Sequence, residues 1–465
     1  MRVLFVAFEF PPLGGAGVQR SIQFTKYLPS YDIVPIVVTT DLSSFRRVMD
    51  NPIDETLLSD LDPNLIVERI PCQIPWVKAP GRLANWARLF FSVVDPLARY
   101  WRPRLDVHIR HLISKYQPAA IYVSIPPFSM GRLWTTIGKF YGLPVILDFR
   151  DAWSQFCIGP YMSWLHYRLA LREEGACLRA AGRVVCTSEQ TRSELLRLHP
   201  NVPADKITTI TNGYDSEIRS AISPRSDNGS RSSFVIGYVG GFYYTPETRE
   251  SMLWPWWRKR SHRRLQYAPR REDWLYRSPY FFFRAVRLVL DARPELRRRL
   301  RIQFVGDKPS WIDAQVDEYG LRDIVEFRGR LPRKEAIAFQ HRCDSLLITS
   351  SKVMGGRDYS IAGKTFEYFA TGRPILGFVT EGAQRDILEQ SGVAVICDPD
   401  NAEDAAQKIQ DLIDGRIQFQ PNVGFLRSLH RRQLCGTLAD LIKDVSSTSQ
   451  LNLPQAKQTR PETKL

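Results

Sequence analysis

The stretch DYSIAGKTFEYFATGRP, Asp358 to Pro374, gathers residue types suited to holding a phosphorylated ligand. Gly363 and Lys364 fall at an expected strand-to-helix junction, with the apolar run SLLITS (345–350) upstream and Gly372 and Pro374 closing the helix downstream. A helix N-terminus offers free N–H groups and the positive end of the helix dipole to an anion, and a lysine beside it adds a full charge. Glu367, three residues after Lys364, is expected in the first turn. A carboxylate there can accept two vicinal hydroxyls of a ribose, or it can simply complement the dipole at the surface.

Two further stretches carry candidate chemistry. In PVILDFRDAW the apolar run Val145–Leu147 leads into Asp148, Arg150 and Asp151 at the expected C-terminal edge of a strand, where ligands of open α/β sheets gather. Charges in such a place must be paired or functional. A structural Arg–Asp pair is one reading. The other makes Arg150 and Asp151 catalytic, with Arg150 a fixed cation for charge developing on a leaving group. The loop PPLGGAG follows the apolar run Val3–Phe8, and its Gly14, Gly15 and Gly17 permit either an anion cradle or a plain tight turn. The dinucleotide fingerprint G-x-G-x-x-G is not met, since Arg20 holds its third position. His108 and His111 stand three apart without a nearby thiol or carboxylate, which fits surface histidines better than a metal site. The absence of P-loop, G-x-S-x-G and H-E-x-x-H motifs weighs against kinase, hydrolase and metalloprotease classes.

The segment GKTFEYFATGRPIL resembles the donor-site segment of nucleotide-sugar glycosyltransferases of the GT-B fold, family 4, and the GG-x-G loop and the S-PP…DFRD-W pattern resemble that family too. The resemblance implies an α/β protein of two Rossmann-like domains facing across a cleft. It also implies a glutamate, seven residues and a second glutamate around the donor, the second holding the ribose and the first the sugar. Glu367 matches the second. Tyr359, with Asp358 beside it, occupies the first position, so the sugar contact does not carry over. By resemblance, Gly14, Gly15, Gly17, Tyr359, Gly363, Lys364 and Glu367 are donor-binding, the glycine loop reaching the diphosphate, and Arg150 falls where other relatives place a histidine. The implied reaction is hexosyl transfer from a nucleotide-sugar, itself a substrate, to a glycan or lipid-linked acceptor hydroxyl in polysaccharide or glycolipid synthesis. Retained anomeric configuration, no cofactor and no required metal are also implied. Asp60-Leu61-Asp62 and Asp398-Pro399-Asp400 have the D-x-D form that binds metal–diphosphate in another glycosyltransferase fold, but they read here as turn or cap residues. A GT-B-like scaffold without catalysis is the alternative suggested by Tyr359. An RNA-binding protein is a weaker one, and no nucleic-acid partner is expected.

The elements that must position these residues fit in 465 residues, enough for two domains with cores, at 44% hydrophobic and 24% charged. The net charge of +15 favours an acidic partner such as a phosphorylated substrate or an anionic membrane. Seven cysteines without a C-x-x-C pair suit a reducing cytoplasm, no apolar run is long enough to span a bilayer, and the opening MRVLFVAFEFPP reads as a strand rather than a signal peptide.

Alternating strands and helices divide the chain into an N-terminal domain (1–215), a Ser/Arg/Asn/Gly-rich linker (216–233) and a second domain (234–424). A helix (425–445) is expected to cross back to the first domain, ahead of a disordered tail (446–465). The region up to about Lys115 is rich in Pro, Trp and Arg and reads as two amphipathic helices about Pro96 or as a flap. Residues 249–277 look inserted. Their tryptophans Trp254, Trp256, Trp257 and Trp274 alternate with arginine clusters. Such a mixture suits a bilayer surface, with Trp256, Trp257, Arg258 and Arg260 as docking residues and a peripheral place at the inner membrane face. Stacking on single-stranded nucleic acid and aromatics packed on their own domain are the other readings.

Overall fold

The computed structural model describes residues 1–46, 53–72, 93–155, 160–215, 233–259, 261 and 264–451. Continuous apolar runs make strands buried on both faces, and these assemble into parallel sheets. Strands β1 (Arg2–Ala7), β2 (Val34–Thr40), β3 (Ile66–Ile70), β4 (Ala120–Ile125), β5 (Val145–Phe149), β6 (Arg183–Cys186) and β7 (Ile207–Thr209) form a seven-stranded sheet ordered β3-β2-β1-β4-β5-β6-β7. The second sheet contains β8 (Phe234–Val239), β10 (Leu300–Val305), β11 (Val325–Phe327), β12 (Ser345–Thr349), β14 (Ile375–Phe378) and β15 (Ala394–Cys397), ordered β11-β10-β8-β12-β14-β15. A short antiparallel pair, β9 (Glu272–Asp273) with β13 (Lys352–Val353), lies outside both. The order reverses between β1 and β4 and between β8 and β12, the points at which α/β sheets open a crevice for ligands. Two Rossmann-like domains are therefore present, as the sequence led one to expect.

Alternation along β1 divides the first core. Leu4, Val6 and Phe8 pack with Trp101 and Trp134. Val3, Phe5 and Ala7 pack with Phe24 and, from the far end of the chain, Leu438, Ile442 and Val445. The last helix, Arg431–Leu451, thus covers the sheet of the first domain. It runs past the expected start of a disordered tail at Ser446, because Ser446 is buried and its hydroxyl donates to Ile442 O at 2.7 Å. Residues 452–465, the linker residues 216–232 and the first half of the Trp/Arg-rich flap (73–92) lie outside the described residues. The second half of that flap is a single helix, Leu97–Tyr116, beginning after Pro96.

The insertion is tied down at both ends. Asp273 receives two bonds from Arg249, each at 2.8 Å, and β9 pairs with β13. Tyr267 exchanges backbone hydrogen bonds with Tyr161 of the first domain at 2.8 and 2.9 Å. Trp274 is buried against Tyr244 and Leu275, so the expectation that it joins the exposed tryptophans is corrected: the turn after β9 folds it inward. Trp254, Trp256 and Trp257 are exposed, as is Arg258; Arg260 lies outside the described residues. Among the described residues no helix is long and apolar enough to cross a membrane, and six cysteines are free and buried.

Candidate active site

The ends of β8 and β12 face, across a cavity of about 660 Å³, the helix after β1 and the loops after β5, β6 and β7. Its second-domain wall is built by the loop after β8, the turn after β9 and the segment from Asp358 into the helix Gly363–Thr371. That helix ends at Gly372, whose φ of 66° suits a residue without a side chain. Its N-cap, Ala362, makes no side-chain cap bond, so the positive end of the dipole opens on the cavity. Glu367 is the fifth helical residue, in the second turn rather than the first, because the helix starts at Gly363 itself. Its carboxylate lines the cavity and accepts from Gln340 Nε2 at 3.3 Å.

Lys364 holds its ammonium 3.5 Å from the centre of the Tyr238 ring. No carboxylate lies within ion-pair distance of it among the described residues. Burial pushes its pKa well below the usual lysine value, with Arg277 adding to the effect and Glu367 opposing it. Arg277 is stacked near Tyr243 and Trp274, donates to the Ser360 hydroxyl, and is held charged against burial by Asp358 and Glu272. Tyr359 lines the same wall, with Arg270 over its ring at 4.6 Å.

The first-domain wall carries Arg150 and Asp151, from the loop after β5. Arg150 pairs with Glu9 at 3.0 Å and donates to Pro126 O at 3.0 Å, so it is fixed between the ends of β1 and β4. Gly17 makes room for it, since a Cβ there would sit 1.8 Å from Arg150 Nη1. Gly14, Gly15 and Gly17 themselves do not line the cavity. Gly15, at φ 133°, caps the following helix. Asp151, next to Arg150 in the chain, is exposed to the cleft. Asp148 is a structural residue. Its carboxylate takes both arms of Arg20 at 2.7 and 2.9 Å and the Tyr122 hydroxyl, while Arg20 also reaches Ile210 O and Thr211 O. The structural Arg–Asp pair thus exists, but its arginine is Arg20.

The structure therefore brings Arg150, Asp151, Tyr359, Gly363, Lys364 and Glu367 together. His108 is exposed and bonds Arg104 O; His111 is exposed on the same helix. Asp62 caps a turn at Asn64, and Asp398 one at Asp400. The helix after β15 is capped by Asn401, not by an aspartate, because only its side chain reaches Asp404 N. Reasoning from sequence missed Glu9, Glu272, Arg277 and Tyr238. A weak signal existed for two of these: EDWLYR, within 272–277, breaks the run of surface-type residues with buried ones.

Two facing Rossmann-like domains with the ligand-type cavity between them define the GT-B fold. Residues 278–415 match the family model Glycosyl transferases group 1, and residues 78–218 match Glycosyltransferase Family 4; by these matches and its fold the chain is a GT-B glycosyltransferase. Among solved structures it is similar to sucrose-phosphate synthase from Thermosynechococcus elongatus (TM-score 0.55, 14% identity, 97% of this chain and 98% of that one). It is also similar to the lipopolysaccharide outer core galactosyltransferase WaaB (TM-score 0.56, 12% identity, 96% and 99%). A third similar structure is Anabaena Alr3699/HepE in complex with UDP (TM-score 0.52, 16% identity, 97% and 98%). At these identities the likeness is one of fold. Among curated proteins, none matches the sequence.

Proposed function

We propose that this protein transfers a hexosyl group from a nucleoside-diphosphate sugar to an acceptor hydroxyl in the cavity between its domains. One observation carries this reading: a lysine ammonium with no carboxylate at ion-pair distance among the described residues stands beside an uncapped helix N-terminus in that cavity. A diphosphate supplies the charge the lysine lacks, and Glu367 lies within the same wall to take ribose hydroxyls. Charge developing on the leaving diphosphate is met by Lys364, the helix N–H groups and Arg150, with no metal required. Asp151, exposed on the cleft wall beside Arg150, accepts a hydrogen bond from the acceptor hydroxyl. The UDP of the HepE structure supports a nucleotide donor.

Retention of configuration follows the family resemblance. The acceptor is a glycan or a lipid-linked glycan of cell-surface polysaccharide or glycolipid synthesis, reached from the cytoplasmic face of an anionic membrane. Trp256 and Trp257, 62% and 61% exposed next to Arg258, support that location. A thermal-shift panel of UDP, GDP, ADP and their sugars tests the central claim, because a ligand at 100 times its Kd adds about 2.7 kcal/mol of stability. A protein that none of these stabilises is not a nucleotide-sugar enzyme.

A further inference from the structure

Beside the helix N-terminus, the cavity wall holds two carboxylates that the phosphate and ribose contacts do not use. Glu272 and Asp358 are 3% and 1% exposed, and both line the cavity. Each is half satisfied. Trp274 Nε1 donates to Glu272 Oε2 at 2.9 Å, and the Ser360 N–H and hydroxyl donate to Asp358 Oδ1 at 3.0 and 2.8 Å. Glu272 Oε1 and Asp358 Oδ2 accept no hydrogen bond from any described residue. Arg270 Nε forms an ion pair with Glu272 Oε1 at 3.8 Å, beyond hydrogen-bond range, so the charge is partly met while the oxygen still lacks a donated hydrogen. Buried carboxylate oxygens left in this condition are unfavourable unless a ligand supplies donors. Burial and the neighbouring Asp358 raise the pKa of Glu272, with Arg277 opposing, which agrees with a carboxyl short of donors.

Arg277 fixes where this pair stands in the site. It is within electrostatic reach of Lys364 and of both carboxylates, so the acidic pair lies next to the proposed phosphate contact. Both oxygens are closed off from solvent in this wall, so a group that reaches them must displace a neighbouring side chain and bring hydrogen-bond donors. Hydroxyls do so; a carboxylate or a further phosphate offers acceptors only. We infer that Glu272 Oε1 and Asp358 Oδ2 accept hydroxyl hydrogens of the transferred sugar, making them specificity-determining residues for a neutral sugar with free hydroxyls. The inference rests on the nucleotide-sugar reading of the cavity. It also assigns one of the donor contacts to the insertion, through β9, rather than to the segment before the Gly363 helix.

The test separates the two levels. Free UDP, GDP and ADP are titrated first into wild type, to find the base, and then the glucose, galactose and glucuronate derivatives of that nucleotide. Wild type should bind a neutral hexose derivative at least about ten-fold more tightly than the glucuronate, the discrimination expected from charge-assisted hydrogen bonds. Glu272→Gln keeps the size and can still accept from Trp274, but offers an amide in place of the free oxygen. It should leave affinity for the free nucleotide within about two-fold and weaken the neutral derivative by about ten-fold or more, with Glu272→Asp falling between. Asp358→Asn is the second variant and should behave alike. If the variants bind free nucleotide and sugar derivative as wild type does, the sugar contact is refuted while the cavity reading stands. Equal losses for both ligands refute it in favour of a structural role. Mn²⁺ binding that either variant abolishes, without a change in sugar affinity, refutes it in favour of a cation site. If wild type binds no nucleotide at all, the reading beneath it fails.

Discussion

Replacing Lys364 by methionine should separate binding from stability, because the proposed function gives the lysine a ligand to hold and no part in packing. Its ammonium rests on the Tyr238 ring at 3.5 Å, an interaction worth about 0.5–2 kcal/mol. Against that stands the hydration that this half-buried ammonium loses in the cleft wall, which pushes its pKa well below the usual value. A methionine of similar length keeps the contact with the ring and leaves no charge to desolvate. The unliganded variant should therefore melt at the wild-type temperature or above. Binding moves the other way: a charged hydrogen bond to phosphate contributes about 1.5–3 kcal/mol, so affinity for the preferred nucleoside diphosphate should fall about 10- to 150-fold. Differential scanning fluorimetry and isothermal titration read the two effects on one preparation. A melting temperature lowered by several degrees, or an unchanged Kd, would show that Lys364 serves packing, and the phosphate assignment would fall.

The lysine also sets a pH dependence. Its folded pKa lies below its unfolded pKa, so between the two values the unfolded chain binds more protons and the unliganded protein gains stability as pH rises. Nucleotide affinity should decline over the same interval, since the phosphate needs the ammonium. Binding there must take up a proton, which titration in buffers of different ionisation enthalpy detects. Lys364→Met should abolish the uptake.

Glu367→Ala should lower nucleotide affinity by an order of magnitude or more while changing stability by less than about 1 kcal/mol, since the residue is a partly exposed helix position; calorimetry alongside chemical denaturation measures both. Gly17→Ala should reduce kcat by about 10²–10³ by driving Arg150 off Glu9, with donor KM little changed, as steady-state kinetics will show. Transfer should persist in excess chelator; a strict Mg²⁺ or Mn²⁺ requirement would contradict the charge-stabilising roles given to Lys364 and Arg150. Replacing Trp256, Trp257, Arg258 and Arg260 together should release the protein from anionic vesicles in flotation and spare nucleotide binding, each basic residue contributing about 1 kcal/mol.

Much of the fold was legible because its central strands are buried on both faces and so read as unbroken apolar runs, as in Val3–Ala7 or Val145–Leu147. β3 escaped notice for the converse reason: at the sheet edge it is half exposed and carries Glu68 and Arg69. The segment around Lys364 was legible because glycine, lysine and a helix start are local in sequence. What links Arg20 to Asp148 is not local, the two being 128 positions apart, so Arg20 was noticed only as the residue that spoils a glycine fingerprint. Arg150 gave the same difficulty, since its partner Glu9 comes from the end of another strand.

The insertion shows why composition alone misjudged a segment with two surfaces. Its outer turn exposes Trp256 and Trp257, and the strand that closes it turns Glu272 and Trp274 inward to the cavity wall. Both lie within one stretch of arginines and aromatics, and the pairing of β9 with β13, the Arg249–Asp273 bonds and the clasp of Tyr267 on Tyr161 hold each residue on its side. A deletion of residues 249–277 would therefore remove the proposed membrane contact, the proposed donor-site carboxylate and an observed link between the domains at once. The exposed and buried positions have to be changed separately, and the roles assigned to them require the outcomes to differ: loss of vesicle binding with intact nucleotide affinity from the outer turn, loss of sugar discrimination with intact vesicle binding from Glu272.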